Sequence, residues 1–321
     1  MVSQVASLSV VIPATDHPPT LERCLAALRD SEDHPEEVIV VEEAGLSAAA
    51  ARNDGLRRAV GDVVVFVDAD VVVAPDALGR IRSRFEAPEL VAVFGSYDDD
   101  PAVRSTVSAF RNLLHHHVHQ SCAGPAETFW TGLGAVRRAP LLAVGGFDEE
   151  RYPHPSVEDI ELGARLAAAG HRIELDPAIQ GTHLKAWTLR SMLWTDLARR
   201  GIPWIDLQLR TRRASGALNC GWRHRASAAA TVGGVTTGLV TQSPLAFLAL
   251  ALLVGLNHDF YRLLVRRLGP LRAAAGVALH AAHHLVAVAS VPAGVLVWAS
   301  AASPTGARPP AVAPADSTSA A

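Results

Sequence analysis

Apolar positions in the first hundred residues come in short runs. Those at 8–12, 38–41 and 63–67 each end at Pro or an acidic residue. Runs of this length, rich in β-branched residues, predict buried strands. The run at 63–67, five large apolar residues between Asp62 and Asp68, reads as the centre of a parallel sheet. Between the runs the period changes. Leu21, Cys24, Leu25 and Leu28 share one face of a helix with Thr20 as its N-cap, and Ser47 caps a second helix running to Val60 and stopped by Gly61. Pro75 opens a third helix ending near Phe85. Strand and helix alternating at short spacing predict right-handed βαβ units, hence an α/β, doubly wound sheet. Further helices are expected over 103–120 and 156–170, the second capped by Ser156.

The second half is patterned differently. Charged residues are absent from 226–256 and again from 273–307. The first stretch is longer than one span needs and is divided by Pro244. Arg210, Arg212, Arg213, Arg223 and Arg225 precede it, and Arg262, Arg266, Arg267 and Arg272 follow it. With basic flanks on the cytoplasmic side, it predicts a hairpin of two short spans or a re-entrant pair, and 273–300 predicts one more span. His280, His283 and His284 read either as lining a lipid-acceptor groove or as packing within a bundle. Segment 186–225 mixes Trp187, Trp194 and Trp204 with Arg190, Arg199 and Arg200, as would an amphipathic interfacial segment or a helix covering the acceptor site. Residues 301–321, rich in Pro, Ala and Ser, read as a disordered tail. The start of the chain is too short in its apolar run for a signal peptide.

Composition narrows the classes. The chain has 321 residues, 49% of them hydrophobic, and a net charge of −3, which argues against nucleic acid as a partner. Cys24, Cys122 and Cys220 have no metal-ligand spacing and fit a reducing compartment.

The chemistry is expected at the carboxyl end of 63–67. Asp68 and Asp70, two apart in extended chain, point to the same side and suit a Mg²⁺ or Mn²⁺ completed by a diphosphate and water. The same residues could instead cap a strand-ending turn. Asp159, with Glu158, lies where a first helical turn would begin, and Ser156-x-x-Asp159 also reads as a capping box. A helix N-terminus would depress that carboxyl. Trp130 offers a flat face for a sugar, and Gly132 and Gly134 a close backbone approach; the alternative is a strand with bulge glycines and a core Trp. His115, His116, His117 and His119 point in different directions around a helix and read as a solvated or acceptor-lining face.

Several motifs kept in order resemble the nucleotide-sugar half of family 2 glycosyltransferases, inverting enzymes of the GT-A fold: Ser9-Val-Val-Ile-Pro-Ala14, Glu37-Val-Ile-Val-Val-Glu42, Ala51-Arg-Asn53, Gly61-Asp62, Phe66-Val-Asp-Ala-Asp70, Gly145-Gly-Phe-Asp-Glu149 and Glu158-Asp159. The resemblance spans about 8–190 and implies a cytosolic GT-A domain with a doubly wound mixed sheet over 1–190, a membrane region over 226–300 and a place in the inner membrane. It implies donor-binding roles for Pro13, Ala14, Thr15, Asp16, Glu42, Arg52 and Asp68, with Lys185 reaching the diphosphate. Metal ligation falls to Asp70 with Asp68 and a late His183, base catalysis to Asp159 with Glu158 beside it, and acceptor contact to Trp130, Gly132 and Gly134. The family's aromatic-Asn is Thr15-Asp16 here and its Asp-Asp is Glu42-Glu43, so base and sugar preference do not carry over. The Gln-x-x-Arg-Trp of processive synthases is replaced by Arg199-Arg-Gly-Ile-Pro-Trp204, which favours transfer of a single sugar. The implied acceptor is a lipid, a polyprenyl phosphate or a small molecule. A processive synthase component and a non-catalytic scaffold retaining a nucleotide pocket are the alternatives.

Overall fold

The computed structural model describes residues 6–212, 218, 221–240 and 242–301. Arg213, Cys220 and the expected tail over 302–321 lie outside these. The first half alternates as the pattern predicts: β1 (Leu8–Pro13), α1 (Leu21–Arg29), β2 (Glu37–Val41), α2 (Ala48–Arg58), β3 (Val63–Val67), β4 (Val71–Val73), α3 (Ala77–Arg84), β5 (Leu90–Tyr97) and α4 (Thr106–Ser121). Then come β6 (Gly124–Ala126), β7 (Leu133–Arg137), α5 (Arg138–Ala143), α6 (Glu158–Ala168) and β8 (Arg172–His183).

These strands form one sheet in the order β2-β1-β3-β7-β5-β8-β4, with β6 on β8. β3 is parallel to β1 but antiparallel to β7, so the sheet is mixed and β3 does not sit at the centre of a parallel one. The run at 63–67 is uniformly apolar because both faces are covered. Val63, Val65 and Val67 pack with Cys24, Leu28, Leu78 and Ile81 of α1 and α3. Val64 and Phe66 pack with Ala51 and Leu56 of α2 and Leu162 and Leu166 of α6.

The helix caps follow expectation in part. Ser47 Oγ accepts from Ala50 N–H at 3.1 Å. Thr20 makes no such bond, and α2 ends at Arg58 rather than Val60. Ser156 is not a cap. The helix begins at Glu158, while Ser156 donates its N–H to Glu158 Oε2 (2.7 Å) and its hydroxyl to Arg199 O (2.9 Å). Its partners are tertiary, so the spacing alone misreads it.

Gly163 lets α6 lie directly on the chain before β7. A Cβ there would stand 2.3 Å from Phe129 N and 2.4 Å from Thr128 C, both backbone. Alanine is the better helix former by about 1 kcal/mol, yet Gly163→Ala is expected to destabilise by about 1–3 kcal/mol, because backbone cannot yield as a side-chain tip can. A denaturant midpoint shift toward greater stability would contradict this packing.

The remaining elements are α7 (Leu189–Trp194), a π-helical segment (Thr195–Gly201), α8 (Ile202–Thr211), α9 (Trp222–Val240), α10 (Leu245–Leu256), α11 (His258–Leu268) and α12 (Pro270–Ala301). About three spans were expected. Among the described residues one helix, over 270–300, is long and apolar enough to cross a bilayer, and α10 with α11 qualifies only as a pair bent by 78°. The reason is length and composition: α10 alone has 12 residues, about 18 Å of helix against a core of about 30 Å, and α9 is uncharged from 226 but rich in Gly and Thr. α12 packs on α8, α11 and the π-helical segment. Its histidines face protein, since His280 Nδ1 meets Tyr261 Oη at 2.9 Å and His283 Nδ1 meets Asp196 Oδ2 at 2.8 Å. The bundle-packing reading of these three therefore describes them, and the groove reading does not.

Candidate active site

A cavity of about 480 Å³ opens at the carboxyl end of β3, between the sheet and the cover formed by α7, the π-helical segment and α8. Asp68, Asp70, Trp130, Glu158, Asp159, His183 and Lys185 all line it, as do Trp187, Arg199 and Trp204 from the cover. The part of segment 186–225 from Trp187 to Trp204 thus covers the site.

Backbone pairing sets one end. Val71 is in register with His183 across β4 and β8, and Leu184 N–H donates to Asp70 O at 2.8 Å. This places His183 Nε2 3.5 Å from Asp70 Oδ2. Burial alone would raise the Asp70 carboxyl, but His183 and Lys185 outweigh it and hold it below the usual carboxylate range. Tyr97, at the end of β5, stacks on His183 with centroids 4.3 Å apart and planes at 9°.

Asp68 is turned elsewhere. Its Oδ1 accepts from Arg52 Nη2 at 2.9 Å, while Arg52 Nη1 reaches Glu158 Oε1 at 2.8 Å. Arg52 is 5% exposed and Glu158 4%, so a buried guanidinium ties the end of β3 to the start of α6. Among the described residues no three His, Cys, Asp or Glu side chains gather to hold an ion unaided. Asp68 is held by Arg52, while Asp70 faces His183. Arg52 is committed to two carboxylates instead of a free nucleoside contact. The next residue has a matching role: Asn53 Nδ2 donates to Phe147 O (2.8 Å) and its Oδ1 accepts from Phe147 N–H (2.9 Å), which fixes the loop before α6.

Asp159 forms the other end. Its Oδ2 accepts from Thr131 N–H (3.3 Å) and Thr131 Oγ1 (3.4 Å), and its Oδ1 from Ile160 N–H (2.8 Å). The expected depression is reversed. Burial first, and the charge of Glu158 second, raise this carboxyl to about 7 against the pull of Arg52 and the Thr131 and Ile160 amides. A position in a first helical turn is outweighed by desolvation in a closed cavity.

Other expected contacts divide. Trp130 lines the cavity with its ring against both Tyr97 and His115. Gly132 and Gly134 leave room for protein: a Cβ on Gly132 would stand 2.2 Å from Trp130 Cζ2, and one on Gly134 2.3 Å from Trp130 O. Their smallness serves the packing of Trp130, not an acceptor. Pro13, Ala14, Thr15, Asp16 and Glu42 do not line the cavity. They sit on its flank, at the ends of β1 and β2, where Ala14 N–H donates to Val41 O at 2.8 Å and Asp16 and Glu42 are exposed. Tyr97, Thr131 and Arg111 were not singled out from the sequence. The available signal was Tyr97, the sole aromatic hydroxyl at the carboxyl end of the buried run at 90–97.

Residues 42–142 match the family model described as glycosyl transferase family 2. The chain is 28% identical to a validoxylamine A glucosyltransferase of Streptomyces hygroscopicus subsp. limoneus over 52% of this chain and 49% of that protein. It is 29% identical to a pre-mycofactocin glycosyltransferase of Mycobacterium tuberculosis over 46% of this chain and 33% of that one. Over these residues the chain is similar to glycosyltransferase family 2. The likeness extends to three dimensions. The mannosyltransferase PcManGT from Pyrobaculum calidifontis, solved with GDP-Man and Mn²⁺, superposes with a TM-score of 0.53 at 17% identity, over 92% of this chain and 88% of that one. The fold of this chain is thus GT-A. The chain spans about half the length, or less, of the curated relatives it matches.

Proposed function

We propose that this enzyme is an inverting, metal-dependent glycosyltransferase. It moves a single sugar from a nucleotide-diphosphate donor to an acceptor hydroxyl at the cytosolic face of the inner membrane. The observation that carries this reading is one cavity with Asp70 and His183 at one end and the raised carboxyl of Asp159 at the other.

The donor set fits a hard divalent cation. One carboxylate and one imidazole leave most positions open, as an ion that also takes diphosphate oxygens and water requires. Asp70 and His183 would hold the Mg²⁺ or Mn²⁺, which when bound supplies positive charge to the leaving diphosphate. Lys185 adds a cation on the same side, with Nζ 4.9 Å from the Trp187 ring centroid. The flank at Pro13, Ala14, Thr15, Asp16 and Glu42 takes the nucleoside. Asp159 accepts the proton of the acceptor hydroxyl at Oδ2 as the new glycosidic bond forms, opposite the leaving group. Thr131 holds that carboxylate in place, and Arg52 pairs with Glu158 beside it. A base raised to about 7 supports an alcohol as acceptor, in a lipid or a small molecule, over a phosphate that needs no base.

Membrane contact is supported by α12 and by the exposed apolar side chains of α10, among them Phe247, Leu248 and Leu252. The cover of the cavity packs against α12, which supports an acceptor entrance beside lipid.

The test is diphosphate release from a panel of nucleotide sugars by the full chain in detergent, with Mn²⁺ or Mg²⁺ and then with EDTA. We expect one donor to be turned over, a loss of about 100-fold or more on chelation and in Asp70→Ala, and flotation of the chain with phospholipid vesicles. Metal-independent turnover would remove the metal from the mechanism.

A further inference from the structure

Four histidines lie between positions 115 and 119 of α4, and three of the rings have evident roles. His116 Nδ1 donates to Tyr97 O and His119 Nδ1 to Gly95 O, both at 2.8 Å, which fastens α4 to β5. His117 stacks on Phe260 at 5.3 Å. His115 differs from all of them. Both of its ring nitrogens are shut off from solvent and neither has a hydrogen-bond partner, yet its ring lines the catalytic cavity. It is wedged among Tyr97, His119 and Trp130, with centroids 4.2, 3.9 and 4.6 Å away.

Its neighbours fix its place along the reaction path. Tyr97 stacks on His183, which faces Asp70. Trp130 precedes Thr131, which holds Asp159. His115 therefore stands between the end that would carry the diphosphate and the end that carries the base, where a sugar in transfer must lie. A buried nitrogen without a partner is a standing cost in the free protein, removed if a ligand supplies the missing partner.

We propose that His115 hydrogen-bonds a hydroxyl of the transferred sugar, beside the Trp130 ring, and so selects an uncharged, hydroxyl-bearing ring among donors. The inference rests on the glycosyltransferase reading above. Burial first, then the charge of His119, hold the imidazole well below its ordinary pKa, so the neutral ring offers one N–H donor and one acceptor nitrogen. A hydroxyl can satisfy either of them, whereas the carboxylate of a uronic acid can use only the donor.

The experiment compares wild type, His115→Phe and His115→Asn in the full chain. It measures calorimetric binding of the nucleoside diphosphate alone and kcat and KM for the nucleotide sugar that is turned over. Phe keeps the ring stack and removes both nitrogens; Asn keeps one donor and one acceptor. We expect H115F to bind the nucleoside diphosphate within about twofold of wild type while its kcat/KM for the nucleotide sugar falls about 10–100-fold, with partial recovery in H115N. A donor lacking the contacted ring hydroxyl should lose a similar factor with wild type and nothing further with H115F. Should H115F not fold, H115N carries the same comparison, with a smaller loss. Unchanged kcat/KM overturns the proposal. So does an equal loss of nucleoside diphosphate binding, which would mark a packing role. If wild type turns over no nucleotide sugar at all, the glycosyltransferase reading falls first, and this inference falls with it.

Discussion

Replacing Asp159 with Asn should lower kcat by about two to four orders of magnitude, the usual contribution of a positioned general base. The change is nearly isosteric, and the Asn oxygen can still accept from Ile160 N–H while its amide donates to Thr131 Oγ1, at the cost of the longer bond from Thr131 N–H, so in a variant that stays folded the loss reports proton transfer. The pH profile gives the sharper readout. The base must be ionised, and its carboxyl is raised to about 7 by burial and by Glu158. Wild-type kcat/KM should therefore climb about tenfold per pH unit below 7 and level off above it, while the variant is flat. Stability should move the other way. A carboxyl raised on folding is a group whose contribution is fully present below its unfolded value near 4 and is lost as pH rises through about 7. Asp159→Asn, neutral throughout, should thus be more stable than wild type at pH 8 by on the order of 2 kcal/mol. A wild-type pH profile without an acidic limb, together with an Asn variant that still turns over, would take the base role away from this residue.

The second large effect belongs to Arg52. Its guanidinium is buried and spans Asp68 and Glu158 at 2.9 and 2.8 Å. Removing it, as in Arg52→Met, leaves two carboxylates in a closed site with no compensating charge, a loss of about 3–5 kcal/mol. Lysine should not restore it, because a single ammonium cannot address two carboxylates from the positions the planar fork reaches. The double variant Arg52→Met with Glu158→Gln should recover part of the stability, since one of the stranded charges has gone. Urea midpoints of the four proteins measure this directly. A double variant as unstable as the sum of the singles would mean that Arg52 and Glu158 act independently.

The sheet was legible because its strands are covered on both faces. Val63, Val65 and Val67 serve one layer and Val64 and Phe66 the other, and no arrangement other than a buried strand explains five such residues in a row. Its mixed direction was legible only through the family resemblance, since β7 enters from far along the chain with no local sign of its orientation. At the site, Asp70, His183 and Asp159 could be picked out from motif order. The state of Asp159 could not, because desolvation depends on how tightly the cover closes over it. The same holds for Gly132 and Gly134: a glycine announces a close approach but not the partner, and the partner was Trp130. In the membrane region, absence of charge is not the same as apolarity. In α9, with its glycines and threonines, the two are different properties.

The pairing of β4 with β8 has a consequence for how the protein is made. Asp70 leaves the ribosome early, but the strand that aligns it with His183 is synthesised much later, and β8 also closes the open side of β5. A chain arrested before β8 would carry an unpaired strand edge, the kind of surface on which partly made chains associate with one another. It would have Asp70 without the histidine that faces it. The proposed ion site is therefore completed only as the last strand docks, so that loss of β8 by nicking or premature termination should remove His183 from it while the pairing of the first three strands remains.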